Sequence, residues 1–240
     1  MDRVPKALFF DVFGTLVDWR TSIARESELI LKPLGHALDW LAFADAWRGE
    51  YQPAMEDIRS GRLPFCRLDV LHRRNLERIL PRFGVSGLTE DTLRNLNLAW
   101  HRLDAWPDFP AALAALRESR PVVSFTMLPT SLVVDVSRRN GITWDAIISC
   151  EMIGTYKPHP EAYVTAARWL GLQPAQILMV ACHNFDLNAA HKVGLRTAFV
   201  RRPAEWGPEG PPDPKPNMSY DIVVDDFGAL VDAVRSQLRA

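Results

Sequence analysis

The chain has 240 residues, 48% hydrophobic and 24% charged, the profile of an ordinary soluble globular protein. Its 28 basic and 29 acidic residues leave a formal net charge of -1, which gives no electrostatic footprint for nucleic acid or an anionic membrane and sets both aside as partners. The length exceeds the ~100–150 residues of a typical domain, so one large domain or a core with an inserted lobe is expected.

Cys66, Cys150 and Cys182 are odd in number, widely separated and free of CxxC or Cys/His ligand spacing. This argues against a disulfide framework and a zinc site and makes a reducing cytoplasm the expected compartment. The opening MDRVPKALFFDVF is charged too soon for a secretion signal. No run approaches the ~18 apolar residues of a membrane span.

In chain order, Ala7 to Val12 is an apolar run closed by Gly14, which reads as a buried strand ending in a turn. From Asp18 to His101 the pattern is helical throughout: Trp40-Leu41, Phe43-Ala44 and Trp47 recur at spacings of three and four, as do Leu68, Leu71, Leu76 and Ile79-Leu80. A second apolar run, Val122 to Thr126, then opens a regular series. A helix from Thr130 to Asn140, a strand at Ala146 to Ser149 and a helix near Glu161 to Leu170 are followed by a strand at Ile177 to Ala181, a helix near Leu187 to Val193 and a strand at Thr197 to Val200. Strands alternating with helices of this length mean βαβ crossovers and a parallel sheet. An irregular, proline-rich stretch from Arg201 to Ser219 precedes a last strand, Ile222 to Val224, and a closing helix. The fold class is α/β, a Rossmann-like parallel sheet core with an inserted all-helical cap lobe. The core is expected over 1–17 and 102–240 and the lobe over 18–101.

Open parallel sheets bind ligands outside the carboxyl ends of their strands. There the chain carries Asp11, Gly14 and Thr15, then Thr126, then Lys157, then His183 and Asp186. Taken singly, Asp11 reads as a turn or helix cap as well as a nucleophile, Lys157 as a surface lysine and Asp186 as a helix cap. Four consecutive strand ends that each deliver a polar or ionisable group point to a site.

FDVFGT, Thr126, Tyr156-Lys157-Pro158 and VACHNFDLNAAHKVGL match in order and spacing the four motifs of the haloacid dehalogenase superfamily. FDVFGTLVDW and the closing AFVRRPAEWG resemble its (S)-2-haloacid dehalogenase branch, and the likeness runs over essentially the whole chain. The resemblance implies hydrolytic dehalogenation of a small 2-haloalkanoate through an aspartyl ester, giving the 2-hydroxy acid and halide. Asp11 would be the nucleophile, and Lys157 would orient it and keep it ionised. Thr15 would hydrogen-bond Asp11, while Asp186 would position Lys157 and the hydrolytic water. The N–H groups of Val12 and Phe13 and the Thr126 hydroxyl would receive the substrate carboxylate. Arg48, in a Trp47-Arg48 pair, would clamp the halide; a solvent-facing helix residue is its bland alternative. Phe13, Phe65, Met127 and Tyr163 would line the pocket, although residues of this kind are as often plain core. A homodimer is also implied.

The chain departs from the superfamily's phosphatases at informative positions. Phe13 stands where they carry a second Asp, and Cys182 where they carry a metal-binding carboxylate. Mg²⁺ wants several oxygen ligands and two or more negative charges. No metal and no cofactor are therefore expected, and halide needs no proton to leave. From the dehalogenase pattern the chain departs at Met127, Ala181 and His183, where donors are usual, and His183 can donate and accept at neutral pH and so replace one of them. Two alternatives stay open. One is a related hydrolase acting on another small carboxylate or a phosphate ester; the other is a non-catalytic member that binds an anion or a protein.

Overall fold

The structure is a computed structural model that describes residues 4–212 and 215–237, so residues 213 and 214 of the proline-rich stretch lie outside the described residues. Among those, β1 (Ala7–Phe10), β4 (Val122–Thr126), β5 (Ala146–Ser149), β6 (Ile177–Ala181), β7 (Arg196–Val200) and β8 (Ile222–Val224) form a six-stranded sheet of order β5-β4-β1-β6-β7-β8. Every pairing is parallel. β1, β4 and β6 are buried at every position, as expected of central strands covered on both faces; β1 and β6 are apolar throughout, and β4 carries Ser124 and Thr126 among apolar residues. The helices of this unit are α6 (Phe109–Arg117), α7 (Thr130–Arg139), α8 (Cys150–Ile153), α9 (Pro160–Trp169), α10 (Asn184–Lys192) and α11 (Phe227–Gln237). An aromatic cluster of Phe10, Phe109, Trp144 and Phe227 has ring centroids 4.9–6.3 Å apart. Phe9 meets Phe125 at 5.5 Å. These rings make up much of the core.

The chain divides into two compact units, Met1–Val17 with Ala105–Ala240, and Asp18–Asp104. The second unit is made of α1 (Trp19–Leu31), α2 (Trp40–Gly49), α3 (Tyr51–Arg59), α4 (Leu68–Ile79) and α5 (Glu90–Asn97) with short 3-10 turns between them. Asp18, Asp39 and Thr89 cap α1, α2 and α5 by accepting from the backbone N–H three residues on. The expected apolar face is present, with Phe43, Ala44, Trp47, Leu68, Leu71, Leu76 and Ile79 all buried. Leu41 is exposed, so the helical stripe is narrower than the spacing suggests.

Three local expectations need correction. The segment is not helical throughout: a loop runs between α3 and α4, and two-residue strands β2 (Val17–Asp18) and β3 (Asp104–Ala105) stand where the chain leaves and re-enters the sheet unit. β1 ends at Phe10 rather than Val12, because after Asp11 N–H bonds Val180 O at 3.0 Å the chain tightens into a turn in which Leu16 N–H bonds Val12 O. α10 starts at Asn184 rather than Leu187, which places Asp186 inside its first turn. Among the described residues no helix is long and apolar enough to cross a membrane.

Candidate active site

β1 lies in the middle of the sheet with β4 on one side and β6 on the other, so the ends of these strands bring their polar residues together. Asp11 follows β1, Thr126 closes β4, Lys157 lies beyond β5 and α8, and His183 and Asp186 follow β6. Lys157 is completely buried. Its Nζ is 2.8 Å from Asp186 Oδ2, 3.4 Å from Asp11 Oδ1 and 4.4 Å from the centroid of the Phe125 ring. A buried ammonium needs such partners, because burial alone would drive off its proton; the two carboxylates instead hold its pKa above the ordinary lysine value. The bland reading of Lys157 as a surface lysine is thereby overturned.

The Asp11 oxygens have different surroundings. Oδ1 faces Lys157, whereas Oδ2 accepts from the Thr15 hydroxyl at 2.8 Å and lies 3.3 Å from His183 Nδ1. Cys182 N–H donates to Thr15 Oγ1 at 3.1 Å, which leaves the Thr15 hydrogen for Asp11. Burial would raise the Asp11 pKa, but Lys157, then the hydrogen bond and charge of His183, then Thr15, bring it down to about 2. Asp11 is an ionised carboxylate in a nearly dry place, 5% exposed.

Asp186 does not act as a helix cap. Its Oδ2 takes Lys157, and its Oδ1 accepts from the Tyr163 hydroxyl at 2.6 Å. Tyr163 is a fully buried interior residue of α9 whose hydroxyl reaches Asp186. Burial and the neighbouring Asp11 charge push Asp186 upward against the pull of Lys157, so of the two carboxylates that share this lysine Asp11 is held the more firmly ionised.

Val12, Phe13 and Met127 are buried beside these residues in sequence, and Thr126 is fully buried with its hydroxyl oxygen accepting from Leu128 N–H at 3.2 Å. Arg48 and Phe65 belong to the helical unit. Phe65 is 37% exposed, on the loop before α4. Arg48 is 7% exposed, with its guanidinium 4.4 Å over the Tyr51 ring and 5.7 Å from the Trp19 ring. The solvent-facing reading of Arg48 is thus wrong: the cation is drawn into the helical unit by aromatic faces.

Sequence reasoning missed Glu205. It sits in the irregular segment after β7 with its side chain 1% exposed, and its Oε1 is 3.2 Å from His183 Nε2. The available signal is the next strand end: Glu205 follows β7, one strand beyond His183 and Asp186. Cys182 Sγ, a His183 ring nitrogen and a Glu205 oxygen lie within 4.8 Å of one another. Burial pushes the Cys182 thiol up to about 11, and hydrogen bonds link the three side chains. Magnesium finds a poor home here. Asp11 and Asp186 share a buried lysine, and the position where phosphatases carry a further carboxylate is this thiol.

A buried, ionised aspartate at a central strand end, beside a buried lysine that also binds a second aspartate, is an arrangement that a hydrolase can use. The profile for "Hydrolase: haloacid dehalogenase-like hydrolase" matches residues 5–194. The chain belongs to the haloacid dehalogenase-like hydrolases, on their (S)-2-haloacid dehalogenase branch. It is 30% identical to the (S)-2-haloacid dehalogenase of Xanthobacter autotrophicus over 208 residues, 82% of this chain and 75% of that one. Among solved structures, the defluorinating L-2-haloacid dehalogenase Rha0230 is 41% identical with a TM-score of 0.94, over 96% of this chain and 95% of that one. The L-2-haloacid dehalogenase PA0810 is 38% identical with a TM-score of 0.92, over 97% and 99%. The expected α/β fold with its helical insertion is borne out by these likenesses.

Proposed function

We propose that this chain hydrolyses the carbon–halogen bond of a small 2-haloalkanoic acid through an ester at Asp11, without a metal ion. The observation that carries the reading is the Lys157 ammonium buried between Asp11 and Asp186 at 3.4 and 2.8 Å, which keeps a nucleophilic carboxylate ionised where water is scarce. An Asp11 oxygen attacks the halogen-bearing carbon from behind, forming a C–O bond as the carbon–halogen pair leaves with the halide. Water then attacks the ester carbonyl and releases the 2-hydroxy acid. The substrate carbon undergoes one inversion.

The other assignments belong to the same reading. Val12 and Phe13 N–H and the Thr126 hydroxyl receive the substrate carboxylate, Arg48 clamps the halide, and Phe13, Phe65, Met127 and Tyr163 limit the space around the substrate. Thr15 and His183 contact the Asp11 oxygen, and Asp186 fixes Lys157. The relatives named (S)- and L-2-haloacid dehalogenases support the substrate class. Metal independence is supported by the donor set, in which a protonated thiol and a shared lysine leave a hard cation too few anionic oxygens. The cytoplasmic compartment and a homodimer are part of this reading too.

The test is halide release from a panel of 2-chloro- and 2-fluoroalkanoates in excess EDTA. Release that persists in EDTA and is abolished by Asp11→Asn is expected. No release across the panel, or release that requires a divalent cation, would contradict it.

A further inference from the structure

We propose that Glu205 is a positioning residue that holds His183 as an imidazolium, and that His183 and Thr15 together bind the oxyanion formed on Asp11 Oδ2 when water attacks the ester. This rests on the ester reading above. Its first support is the asymmetry of Asp11. Oδ1 has one donor at 3.4 Å, whereas Oδ2 has Thr15 at 2.8 Å and His183 at 3.3 Å. The oxygen less bound by donors is the better nucleophile, so Oδ1 carries the alkyl group and Oδ2 becomes the ester carbonyl. Its two donors then stand where negative charge develops, the arrangement that lowers the barrier to acyl transfer.

The second support is the far side of the imidazole. A neutral histidine donates through one nitrogen only, whereas His183 has a carboxylate on each: Asp11 at Nδ1 and Glu205 at Nε2, 3.2 Å away. The third is Gly14. It has φ 84°, and a Cβ there would collide with the Glu205 carboxylate, so the turn that carries the nucleophile is also shaped to admit Glu205.

The groups that face His183 are Asp11 on the β1 side, Glu205 from the segment after β7, and the adjacent Cys182, with the Phe185 ring stacked at 5.7 Å. Lys157 and Asp186 lie one contact further, through Asp11. Burial disfavours charge on His183, but Cys182, Glu205 and Asp11 together raise its pKa well above the ordinary value. With the thiol protonated at neutral pH, the groups in contact with the ring that can carry negative charge are Asp11 at Nδ1 and Glu205 at Nε2. Asp186 cannot substitute for this pair, because its oxygens are committed to Lys157 and Tyr163.

In the step concerned, the water oxygen bonds to Cγ of the ester and the carbonyl pair moves onto Oδ2, where Thr15 and His183 meet it. When that pair returns, the Cγ–Oδ1 ester linkage is broken on the acyl side and the alkoxide departs as the 2-hydroxy acid. One proton of the water ends on that hydroxyl, the other goes to solvent as Asp11 re-ionises, and His183 keeps its own.

Glu205→Gln preserves shape and removes the charge. Halide release in the first turnover is expected to stay within about twofold of wild type, while steady-state kcat falls ~100-fold, the order seen when one oxyanion donor is lost. The Asp11 ester should then accumulate as a mass increment on the intact protein. The alkaline limb of kcat should move to lower pH, since His183 without Glu205 sheds its proton sooner, and Glu205→Asp should restore part of the shift. Unchanged steady-state turnover, an equal fall in burst and turnover, or movement of the acid limb instead would overturn the proposal. NMR titration of the His183 ring in the free proteins separates the two readings. A lower His183 pKa in Glu205→Gln reports the pair even if no ester ever forms on Asp11, in which case it is the ester reading that fails. An unmoved His183 pKa overturns the proposal by itself.

Discussion

The buried cations of the two units, Lys157 and Arg48, have different surroundings. In the sheet unit Asp11, Lys157, Asp186 and Glu205 are almost wholly shielded from water, His183 is mostly so, and each is hydrogen-bonded to another member of the set. Three acids and two bases in one network fix one another's position and protonation. In the helical unit the buried Arg48 lies against the rings of Tyr51 and Trp19. His72 there is stacked 4.4 Å from Trp100, and burial pushes its pKa down to about 3, so it is neutral at ordinary pH. An ion network gives directional control of each proton, whereas ring faces hold a cation by its flat surface and leave its edge geometry to other groups. The first arrangement suits covalent chemistry and the second suits recognition.

Breaking the network should have the largest effect. Lys157→Met leaves two buried carboxylates without their shared cation, which costs ~3–5 kcal/mol when one partner of a buried ionic set is removed. Thermal unfolding should fall by ~10 °C or more for a chain of this size, with dehalogenation abolished. A variant that melts like wild type would show that the network is not what secures the site.

An intermediate effect is expected in the helical unit. Arg48→Lys keeps the charge and loses the planar guanidinium that stacks on Tyr51, so kcat/KM should fall ~10–100-fold with stability changed by no more than ~2 kcal/mol. An activity equal to wild type would remove Arg48 from the proposed halide clamp.

The smallest effect concerns pH. His72 has a folded pKa of about 3, below the unfolded value near 6.5, so between those values the unfolded chain binds the extra proton. The stabilising contribution of neutral His72 is complete above ~6.5 and is lost progressively as pH falls toward 3. His72→Gln should flatten the loss of stability between pH 6.5 and 5, followed by urea midpoints. An unchanged slope would mean that another group governs the acid limb.

Much of the architecture was legible because one signal dominated it. The apolar runs at Ala7, Val122 and Ile177 have no amphipathic option and must be central strands. Residues at their ends, Asp11, Thr126 and His183, followed directly. The two-residue strands β2 and β3 carry no hydrophobic period and were invisible. The start of α10 was misplaced because its first turn, Asn184-Phe185-Asp186, is polar for reasons of the site rather than of the helix. Glu205 was hidden by its setting in a proline-rich connection. A carboxylate in such a segment is ordinarily solvated, and only the meeting of β6 and β7 at their carboxyl ends turns it inward to His183. The Trp47-Arg48 pair is visible in the sequence, but Arg48 is buried against Tyr51 and Trp19, which adjacency in sequence does not reveal.

In the proposed reaction Asp11 is alkylated and water then attacks the aspartyl carbonyl. A single turnover of a 2-haloalkanoate in heavy-oxygen water, with enzyme in excess, tests it directly. Mass spectrometry should find heavy oxygen in the peptide that contains Asp11 and none in the hydroxyl of the first-turnover 2-hydroxy acid. Label in that hydroxyl with an unlabelled Asp11 peptide would mean that water displaces halide directly, and the aspartyl ester would have to be abandoned.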